Sequence, residues 1–272
     1  MKLNTIRYLC CPVCNGELRL AIDSQSEREV LQGYMDCLKC GRRYIIKDSF
    51  PDLTVIGSQE ESDFKSKEWH DQCPEYSGRP WAWSLGIWEF AFAETRARRQ
   101  VINKLELKKN ALVLETGVGN GPNLPIIAEQ IGKGGQFDGI DISLPTLKVA
   151  QKRTKIKGIQ VELVQGNASF LPYKKETFDA VLHIGAFNAF THKKRSIQEM
   201  CRVAKSGSKI VICDEGLAPG KEKTLLGKWI LRRSSELFSH EPPVELLPDN
   251  IEELNVSWVW QSSYWVIAFR KI

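Results

Sequence analysis

The sequence lacks any apolar run long enough to cross a membrane. Its most apolar stretch, residues 81–93, is interrupted by Ser84, Gly86 and Glu89. A membrane-spanning helix needs about 20 predominantly apolar residues. The first residues of the chain contain no apolar run of signal-peptide length either. We therefore expect no integral membrane segment and a cytoplasmic protein.

The chain also lacks a large excess of either positive or negative charge. The formal net charge is only +5 over 272 residues, so nucleic-acid binding would have to depend on local basic patches. Cysteine, in contrast, is plentiful, with 8 residues. Four of them stand in paired CxxC spacing and no export signal accompanies them, which favours a metal site in a reducing compartment over disulfides.

The CxxC pairs are Cys11 with Cys14 and Cys37 with Cys40, with 22 residues between them. Each pair places two thiolates close enough to bind one tetrahedral ion, and the intervening residues can form a β-hairpin. Four cysteine ligands leave no open coordination position, so we expect a structural Zn²⁺. Cys10 is a neighbour of this set, but its spacing to Cys14 fits a metal site less well.

The segment around these cysteines resembles the four-cysteine zinc ribbons found beside or within methyltransferases, including the small zinc-binding activator subunit of tRNA and translation-factor methyltransferases. The matching residues are CPVC, CLKCGRRY and IIKDSFPDL, which lie between positions 11 and 53. The resemblance implies a structural metal, and it suggests a protein partner that binds through the ribbon.

Beyond residue 110 the sequence alternates between strand-like and helix-like segments. The stretch ALVLETGVGNG, residues 111–121, is typical of a buried strand that runs into a glycine-lined turn. Further strands are expected at residues 136–142, 159–165, 178–184 and 209–214, with helices between them. This alternation predicts an α/β fold with a parallel sheet covered on both faces.

The end of the chain breaks that alternation. Residues 255–260 and 264–269 are strand-like runs whose connection is too short for a helical crossover, so they must pair antiparallel. We therefore predict a doubly wound, mostly parallel seven-stranded sheet with a terminal antiparallel hairpin. The predicted domains are a zinc ribbon at 1–57, a linker at 58–80 and the larger domain at 81–272.

Polar and glycine residues follow the expected strands where each strand ends. The first strand ends in Glu115 and three glycines, the second in Asp141, the third in Asn167 and the fourth in His183. Ligands bind at these carboxyl ends in doubly wound sheets. Glycines let a flat ligand lie against backbone amides. The three are Gly117, Gly119 and Gly121.

The glycine spacing distinguishes between two candidate ligands, a nicotinamide dinucleotide and S-adenosylmethionine. Asp141, 20 residues beyond Gly121, could accept both hydrogen bonds of a ribose in either a nicotinamide or an adenosylmethionine ligand. The nicotinamide fingerprint GxGxxG, however, needs glycine where this chain, counted from Gly117, has Pro122. Glu115 would also repel a pyrophosphate, whereas it suits the cationic amino-acid moiety of S-adenosylmethionine.

This part of the chain resembles class I S-adenosylmethionine-dependent methyltransferases, especially those related to the ubiquinone and menaquinone biosynthesis enzymes. The resemblance rests on VLETGVGNGPNL, GIDIS, QGNASFLPYKKETFDAVL and RSIQEMCRVAKSGSKIVICDE. The family more often has aspartate where this chain has Asn167, whose amide can still accept from the adenine amine. The resemblance implies that Glu115, Gly117 and Gly119 hold the methionine end, Asp141 the ribose, and Ile142, Asn167 and Ala168 the adenine.

Methyl transfer is an in-line displacement on an activated methyl group, so the enzyme mainly holds the nucleophile in line and excludes water. For an amine, phenol or thiol acceptor, a histidine at the end of the fourth strand could remove the proton. His183 is that candidate base, and the alternative is a histidine that faces the core.

Two other regions carry basic residues. Arg96, Arg98 and Arg99 are expected mostly on the solvated side of the helix before the first strand. Residues 221–238 contain five basic residues among apolar ones. This basic amphipathic segment could be a substrate lid, a membrane-surface contact, or a solvated helix packed on the sheet.

The leading hypothesis is a zinc-ribbon methyltransferase that uses S-adenosylmethionine on a small-molecule or lipid-like acceptor. An RNA methyltransferase is the alternative enzyme, because attached four-cysteine zinc modules also occur in rRNA guanine methyltransferases. A scaffold that keeps the fold without catalysis, and binds partners through the ribbon, is the alternative outside enzymes. Binding of S-adenosylhomocysteine would distinguish the enzymes from the scaffold.

Overall fold

A computed structural model describes residues 1–55, 61–75 and 88–272 of the chain. The expected boundary between linker and larger domain, at residue 80, lies outside the described residues. Within the expected linker the structure has a helix, α1 (Glu61–Gln72).

The N-terminal part is an antiparallel sheet of four strands, preceded by a short 3-10 helix at Leu3–Arg7. The first two strands form the hairpin expected between the CxxC pairs, because their register brings Leu18 opposite Cys37. The strands are β1 (Leu18–Gln25), β2 (Val30–Cys37), β3 (Arg43–Lys47) and β4 (Phe50–Pro51).

The larger part of the chain is built on a seven-stranded sheet, which confirms the predicted α/β architecture. Most strands begin and end within a few residues of the predicted positions, because apolar runs bounded by glycine and polar residues mark them. The strands are β5 (Leu112–Thr116), β6 (Gln136–Asp141), β7 (Val161–Gln165), β8 (Phe178–Ile184), β9 (Ala204–Glu215), β10 (Ile251–Val259) and β11 (Tyr264–Lys271).

The strand order is β10-β11-β9-β8-β5-β6-β7. Strands β5 to β9 pair in parallel, and β11 pairs antiparallel with both β9 and β10, as the hairpin prediction required. Strand β9 begins at Ala204 rather than at Lys209, because Ala204 pairs with Phe178 ahead of an irregularity in the β8–β9 register. The chain order reverses between β5 and β8, so a ligand is expected over their carboxyl ends.

Helices cover the sheet. One follows the glycine turn directly, and its apolar face is buried at Leu124, Ile126, Ile127 and Ile131. The next is capped by Ser143, the residue before its first turn, whose side chain accepts a hydrogen bond from the Thr146 amide. In chain order after α1, the helices are α2 (Trp88–Asn103), α3 (Leu124–Ile131), α4 (Leu144–Lys157), α5 (Lys193–Val203) and α6 (Leu225–Phe238).

The ribbon and the large sheet share one hydrophobic core. Leu9 and Leu53 of the ribbon are buried in the same cluster as Leu114 and Tyr173. The aromatic rings continue across the boundary, because the Tyr8 ring lies 6.3 Å from that of Tyr173 in a stacked arrangement. The ribbon is therefore a packed layer of the fold.

Main-chain hydrogen bonds join the ribbon to the larger domain at two places. The Cys10 amide donates to the Pro172 carbonyl at 2.9 Å, and the Lys174 amide donates to the Tyr8 carbonyl at 2.8 Å. At the other place the Leu53 amide donates to the Gln165 carbonyl, at 2.9 Å. This last contact lies at the carboxyl end of β7, next to the loop predicted to hold adenine.

Helix α6 lies along the outside of the molecule. Ile230 and Phe238 are buried, and the Phe238 ring meets Tyr264 edge-on at 6.2 Å. On the outer side, Leu225 is 90% exposed and Trp229 is 46% exposed. None of the helices in the described ranges is both long enough and apolar enough to cross a membrane.

Candidate functional site

The carboxyl ends of strands β5 to β9 open into one cavity of about 280 Å³. Typical small-molecule sites begin at roughly 300 Å³, so the cavity can take most of such a ligand. The structure brings together residues that are distant in sequence, including all but one of those predicted for the site. Lining this cavity are Glu115, Gly117, Gly119, Asp141, Ile142, Asn167, Ala168 and His183.

The glycine turn after β5 requires residues without a side chain. Gly117 has φ +68° and Gly119 has φ +54°, a region that favours glycine. A Cβ at Gly117 would come within 3.1 Å of His183 Cε1, whereas one at Gly119 would meet no described atom within 4 Å. Gly119 thus faces open cavity space. Gly121, the predicted residue outside the lining, instead packs against Leu124.

Asp141 is fixed at the end of β6 by two backbone donors. Its Oδ2 accepts from the Gly119 amide at 2.8 Å, and its Oδ1 accepts from the Ser143 amide at 3.0 Å. Burial raises the pKa of the Asp141 carboxyl, and these two amides oppose that rise by favouring the charged form. The carboxylate therefore ties the glycine turn to the start of α4.

The loop after β7 forms the far end of the cavity. The Asn167 Oδ1 accepts from the Ser169 amide at 2.8 Å, which holds the loop in a turn. The Gln165 Nε2 donates to the Ile142 carbonyl at 3.2 Å and joins this loop to the end of β6. Contact of Ile142, Asn167 and Ala168 with adenine stays a prediction.

Glu115 is fully buried at the end of β5. Its Oε1 accepts from the Asn123 side chain, while its Oε2 has no hydrogen-bond partner among the described residues. Burial raises the pKa of Glu115 from 4.5 to about 8. A buried carboxyl with one oxygen unsatisfied is a favourable place for a positively charged ligand group.

Arg98 differs from the expectation that it lies on the solvated side of its helix. Its side chain is 18% exposed and lines the cavity. The guanidinium donates to Glu94 through Nε and Nη2, and to the Asn123 Oδ1 through Nη1 at 3.0 Å. Asn123 thereby links Arg98 to Glu115, which places a cation next to a carboxyl in one network.

His183 faces the cavity end of β8 and is fully buried. Its Nδ1 lies 2.7 Å from the Thr116 carbonyl, to which it can donate only as the Nδ1–H tautomer. The Nε2 has no hydrogen-bond partner among the described residues. Burial lowers the pKa of His183 to about 4, so the imidazole is neutral at pH 7 and a weak base. Its role as the base stays a prediction.

Sequence reasoning missed a contribution from α1. His70 lines the cavity, and its carbonyl accepts from the Thr146 hydroxyl at 3.4 Å. Asp71 accepts a hydrogen bond at 2.7 Å from the hydroxyl of Ser143, which lies two residues after Asp141. Nothing in the polar 58–80 segment indicates this contact, because it depends on how α1 meets α4.

A second missed group lies at the end of β9. Glu215 lines the cavity, and its Oε1 accepts from the Tyr264 hydroxyl at 3.0 Å. The Trp260 ring stacks on Tyr264 at 5.0 Å, and Phe190 lies across the cavity next to His183. The strand-end rule that selected Asp141 applies equally to Glu215, so the sequence did contain a sign of it.

The four predicted cysteines form one cluster. Their sulfur atoms all lie within 4.8 Å of one another, with Cys11 to Cys40 at 3.7 Å and Cys14 to Cys37 at 3.5 Å. A tetrahedral Zn²⁺ with bonds of about 2.3 Å requires sulfur–sulfur separations of roughly 3.8 Å. The donor set and its spacing therefore fit Zn²⁺.

The surroundings of the cluster are equally specific. A Cβ at Gly16 would lie 3.0 Å from the Cys37 sulfur and 3.2 Å from the Cys14 sulfur, so glycine is needed for close approach there. The Tyr44 hydroxyl lies 3.0 Å from the Cys11 sulfur. Cys10 is buried outside the cluster, as expected from its spacing.

Comparison with known families gives two matches. Residues 107–258 match the family described as methyltransferase domain. Residues 2–49 match the family described as Trm112p-like protein. The first match spans more than half of the chain, and the second covers the ribbon.

Individual relatives agree with the larger match. A demethylmenaquinone methyltransferase of Anoxybacillus flavithermus is 34% identical over 131 residues, which is 48% of this chain and 53% of the relative. The ubiquinone/menaquinone biosynthesis C-methyltransferase UbiE of Blochmanniella floridana is 30% identical over 128 residues, 46% of this chain and 50% of the relative. The chain thus spans about half the length of the curated relatives it matches.

Solved structures share the fold. Geranyl diphosphate C-methyltransferase from Streptomyces coelicolor A3(2) superposes with a TM-score of 0.54 at 13% identity, covering 66% of this chain and 79% of that one. A chain from a complex between the Haloferax volcanii Trm112 methyltransferase activator and a methyltransferase superposes with a TM-score of 0.53 at 11% identity. It covers 75% of this chain and 96% of its own length.

Proposed function

The chain belongs to the methyltransferase domain family, and on that premise we propose that it transfers the methyl group of S-adenosylmethionine to a small-molecule or lipid-like acceptor. The observation that carries this proposal is the convergence of the ends of β5, β6 and β7 on one cavity. Those ends supply a carboxyl, a bare glycine turn, a second carboxyl and an amide.

The residues present fit S-adenosylmethionine. The unsatisfied Oε2 of Glu115 would accept a hydrogen bond from the ligand's ammonium group. Arg98, which also lines the cavity, would pair with the ligand's carboxylate. Asp141 would accept from the ribose, and the open space at Gly119 lets the ligand approach the backbone. Ile142, Asn167 and Ala168 would then contact adenine.

The ligand supplies a methyl group that is already activated by a sulfonium charge, so the protein's residues have mainly to bind, orient and exclude water. Asp141 and Glu115 fix the two ends of the ligand. The buried His183 and the partly buried Phe190, whose rings lie 4.9 Å apart, form a wall that restricts water at the reacting centre. With the ligand held at these positions, the part of the cavity at the ends of β8 and β9 would remain for the acceptor.

The names of the relatives and the lining of the cavity support a flat apolar acceptor. Two relatives are named as demethylmenaquinone and ubiquinone/menaquinone biosynthesis methyltransferases. In this chain, Phe190, Trp260 and Tyr264 line the part of the cavity beyond His183, and aromatic rings bind flat apolar groups well. A quinone-like ring with an apolar tail would suit this lining.

Calorimetry with S-adenosylhomocysteine tests the cofactor part of the proposal. We expect saturable binding of one molecule per chain by folded, zinc-loaded protein, and absence of binding would contradict the proposal. The acceptor is then sought by incubating cell extracts with labelled S-adenosylmethionine, with and without the protein. Mass spectrometry identifies the product whose label depends on the protein.

The pKa of Glu115 leads to a pH-dependent affinity. Because that pKa is about 8, the free protein holds a proton there at pH 7, and a cationic ligand would expel it. We expect affinity for S-adenosylmethionine to rise by up to about tenfold per pH unit toward pH 8 and then level off. Calorimetry between pH 6 and 9 measures this, and Glu115→Gln should give weaker, nearly pH-independent binding.

Glu115 also makes the stability of the ligand-free protein depend on pH, and here the expected change is a decrease as pH rises. A carboxyl whose pKa is raised in the folded state binds more protons folded than unfolded, so its contribution to stability falls as pH rises from 4.5 to about 8. Glu115→Gln should therefore melt at a higher temperature than the parent protein at pH 8.5. A lower melting temperature for the variant, or a flat affinity profile for the parent, would contradict this assignment.

RNA methylation is the second candidate, favoured by the match of residues 2–49 to Trm112p-like proteins and by exposed cations around α6. Lys221, Lys223, Lys228 and Arg232 are all exposed. A mobility shift with tRNA or rRNA should then weaken steeply between 50 and 200 mM salt, as counterion release requires. Binding that is absent, or insensitive to salt, would exclude this candidate.

For the ribbon, we propose a structural Zn²⁺ on Cys11, Cys14, Cys37 and Cys40, in a module that spans residues 1–57 ahead of a linker at 58–80 and a catalytic domain at 81–272. The match to Trm112p-like proteins also supports a protein partner. Val13 and Leu38, within the two CxxC pairs, are 40% and 58% exposed and offer apolar contact for one.

A further inference from the structure

Two carboxyl side chains end strand β9, and they have different surroundings. Asp214 is fully buried, and its Oδ2 accepts from the Asn188 amide. Glu215 lines the cavity and accepts from the Tyr264 hydroxyl at 3.0 Å. The Asn188 side chain also donates to the Glu215 carbonyl at 2.9 Å, which fixes the backbone at this point. Glu215 is therefore held at the cavity wall from both sides.

The position of Glu215 in the sheet separates it from the cofactor residues. Strand β9 lies three strands from β6 in the order β9-β8-β5-β6, or about 14 Å at roughly 4.8 Å per strand. Asp141 ends β6, so a ribose there would be far from Glu215. Between them lies His183, which pairs with Ile212 across β8 and β9. Glu215 thus belongs to the part of the cavity left for the acceptor.

The acceptor part of the cavity offers hydrogen-bond acceptors and aromatic faces. Phe190, Trp260 and Tyr264 provide the faces, and the neutral His183 has its Nε2 available as an acceptor. Among the described lining residues the only arginine is Arg98, next to Glu115 in the cofactor part, and none is a lysine. An anionic group on the acceptor would therefore face a carboxylate with no cation to offset it.

We propose that Glu215 is the acceptor-binding residue and the proton acceptor of the reaction, and that Tyr264 positions it. Its ligand is a neutral aromatic ring that carries a hydroxyl or amine, and rings carrying a carboxylate or phosphate are rejected. This inference rests on the proposed methyl transfer. Burial of His183, whose pKa falls to about 4, agrees with a base elsewhere in the cavity.

The methyl group can be accepted by the oxygen or nitrogen of the ring substituent, or by a ring carbon, and the proton balance is the same in both cases. The O–H or N–H bond of the acceptor breaks, and its proton passes to the Glu215 carboxylate. The electron pair left behind forms the bond to the methyl carbon, from the heteroatom or from a ring carbon conjugated with it. The S–CH₃ bond breaks with its electrons on sulfur, which becomes a neutral thioether.

With a ring carbon as the methyl acceptor, the hydrogen of that carbon leaves as a proton and the hydroxyl or amine is restored. One proton therefore reaches water for each methyl group transferred, by way of Glu215 or directly. No oxidant or reductant is consumed. The residue acts only by taking up and returning a proton, which typically contributes about 10²- to 10⁴-fold in rate.

A pair of probes with the same ring tests the binding part of the inference. Protein saturated with S-adenosylhomocysteine is titrated with 2-naphthol and with 2-naphthoate, by ligand fluorescence. We expect 2-naphthol to bind at least about tenfold more tightly, since the carboxylate of the second probe meets Glu215. Glu215→Gln should weaken 2-naphthol binding and strengthen 2-naphthoate binding, while affinity for S-adenosylhomocysteine stays within about twofold.

The matched control is Glu241→Gln, a neutralised carboxylate that is exposed to solvent beyond α6 and should change neither probe. Tyr264→Phe keeps the ring and removes the hydroxyl, and should give an intermediate loss of 2-naphthol affinity. Absence of 2-naphthol binding to the parent protein, or equal binding of the two probes, would overturn the inference. Failure of the parent protein to bind S-adenosylhomocysteine would instead overturn the proposed function.

A rate measurement tests the proton-accepting part once the acceptor is identified from labelled extracts. Glu215→Gln should lower kcat about 10²- to 10⁴-fold, whereas Glu215→Asp, which keeps a carboxylate, should restore part of that loss. His183→Gln should lower kcat by less than Glu215→Gln does. If His183→Gln lowers kcat more than Glu215→Gln, or if Glu215→Asp restores nothing, the inference is wrong.

Discussion

Replacement of Asp141 by alanine is expected to weaken binding of S-adenosylmethionine and S-adenosylhomocysteine about 10²- to 10⁴-fold. The variant would lose the two charge-assisted hydrogen bonds that we propose Asp141 accepts from the ribose, each worth about 1.5 to 3 kcal/mol, and each 1.4 kcal/mol is tenfold in affinity. It also releases the Gly119 and Ser143 amides, which the carboxylate holds in the ligand-free protein. Calorimetry measures the change directly.

A carboxylate at the opposite end of the same sheet provides the control. Asp179, near the start of β8, accepts from the Leu112 amide and pairs with Lys205, away from the cavity. Asp179→Ala should leave cofactor affinity within about twofold. If Asp141→Ala binds as tightly as the parent protein while remaining folded by circular dichroism, the ribose assignment is wrong.

Removal of one cysteine ligand is expected to have the largest effect on stability. Cys40→Ser should reduce bound zinc from about one equivalent per chain to a small fraction, and should lower the melting temperature by about 10 °C or more. Structural zinc contributes about 10 to 16 kcal/mol in small peptides, and each kcal/mol shifts the melting temperature of a domain this size by about 2 to 4 °C. Metal analysis and thermal denaturation measure the two effects.

Cys73→Ser is the matched control, because Cys73 is exposed and lies outside the cluster. Its zinc content and melting temperature should equal those of the parent protein. Treatment with a chelator should reproduce the effect of Cys40→Ser in the parent protein and add nothing to the variant. Protein purified without chelator that contains no zinc would contradict the metal assignment.

The sequence was sufficient for the architecture because the signals for it are local. Apolar runs that end in glycine or aspartate located β5, β6 and β8 to within about two residues. The short connection at 261–263 required an antiparallel hairpin whatever its surroundings. The start of β9 could not be located in this way, because Ala204 joins the sheet through a register irregularity that depends on the β8 backbone.

The site was only partly predictable, because two of its elements depend on how helices meet the sheet. His70 and Arg98 line the cavity from helices α1 and α2, so a rule that selects residues at strand ends does not find them. Their sequence patterns indicate a solvated helix, and the buried partner of Arg98, Asn123, lies 25 residues away. Glu215 follows the strand-end rule, but the fifth strand was predicted to end at residue 214, one residue before it.

The bonding of the ribbon to the sheet also determines how the protein responds to dilution. A module on a separate chain dissociates as the concentration falls, by mass action. Here Leu9 and Leu53 are buried in the core of the same chain that carries the cavity. An attached module has an effective concentration in the millimolar range, so each catalytic site keeps one ribbon however scarce the protein is.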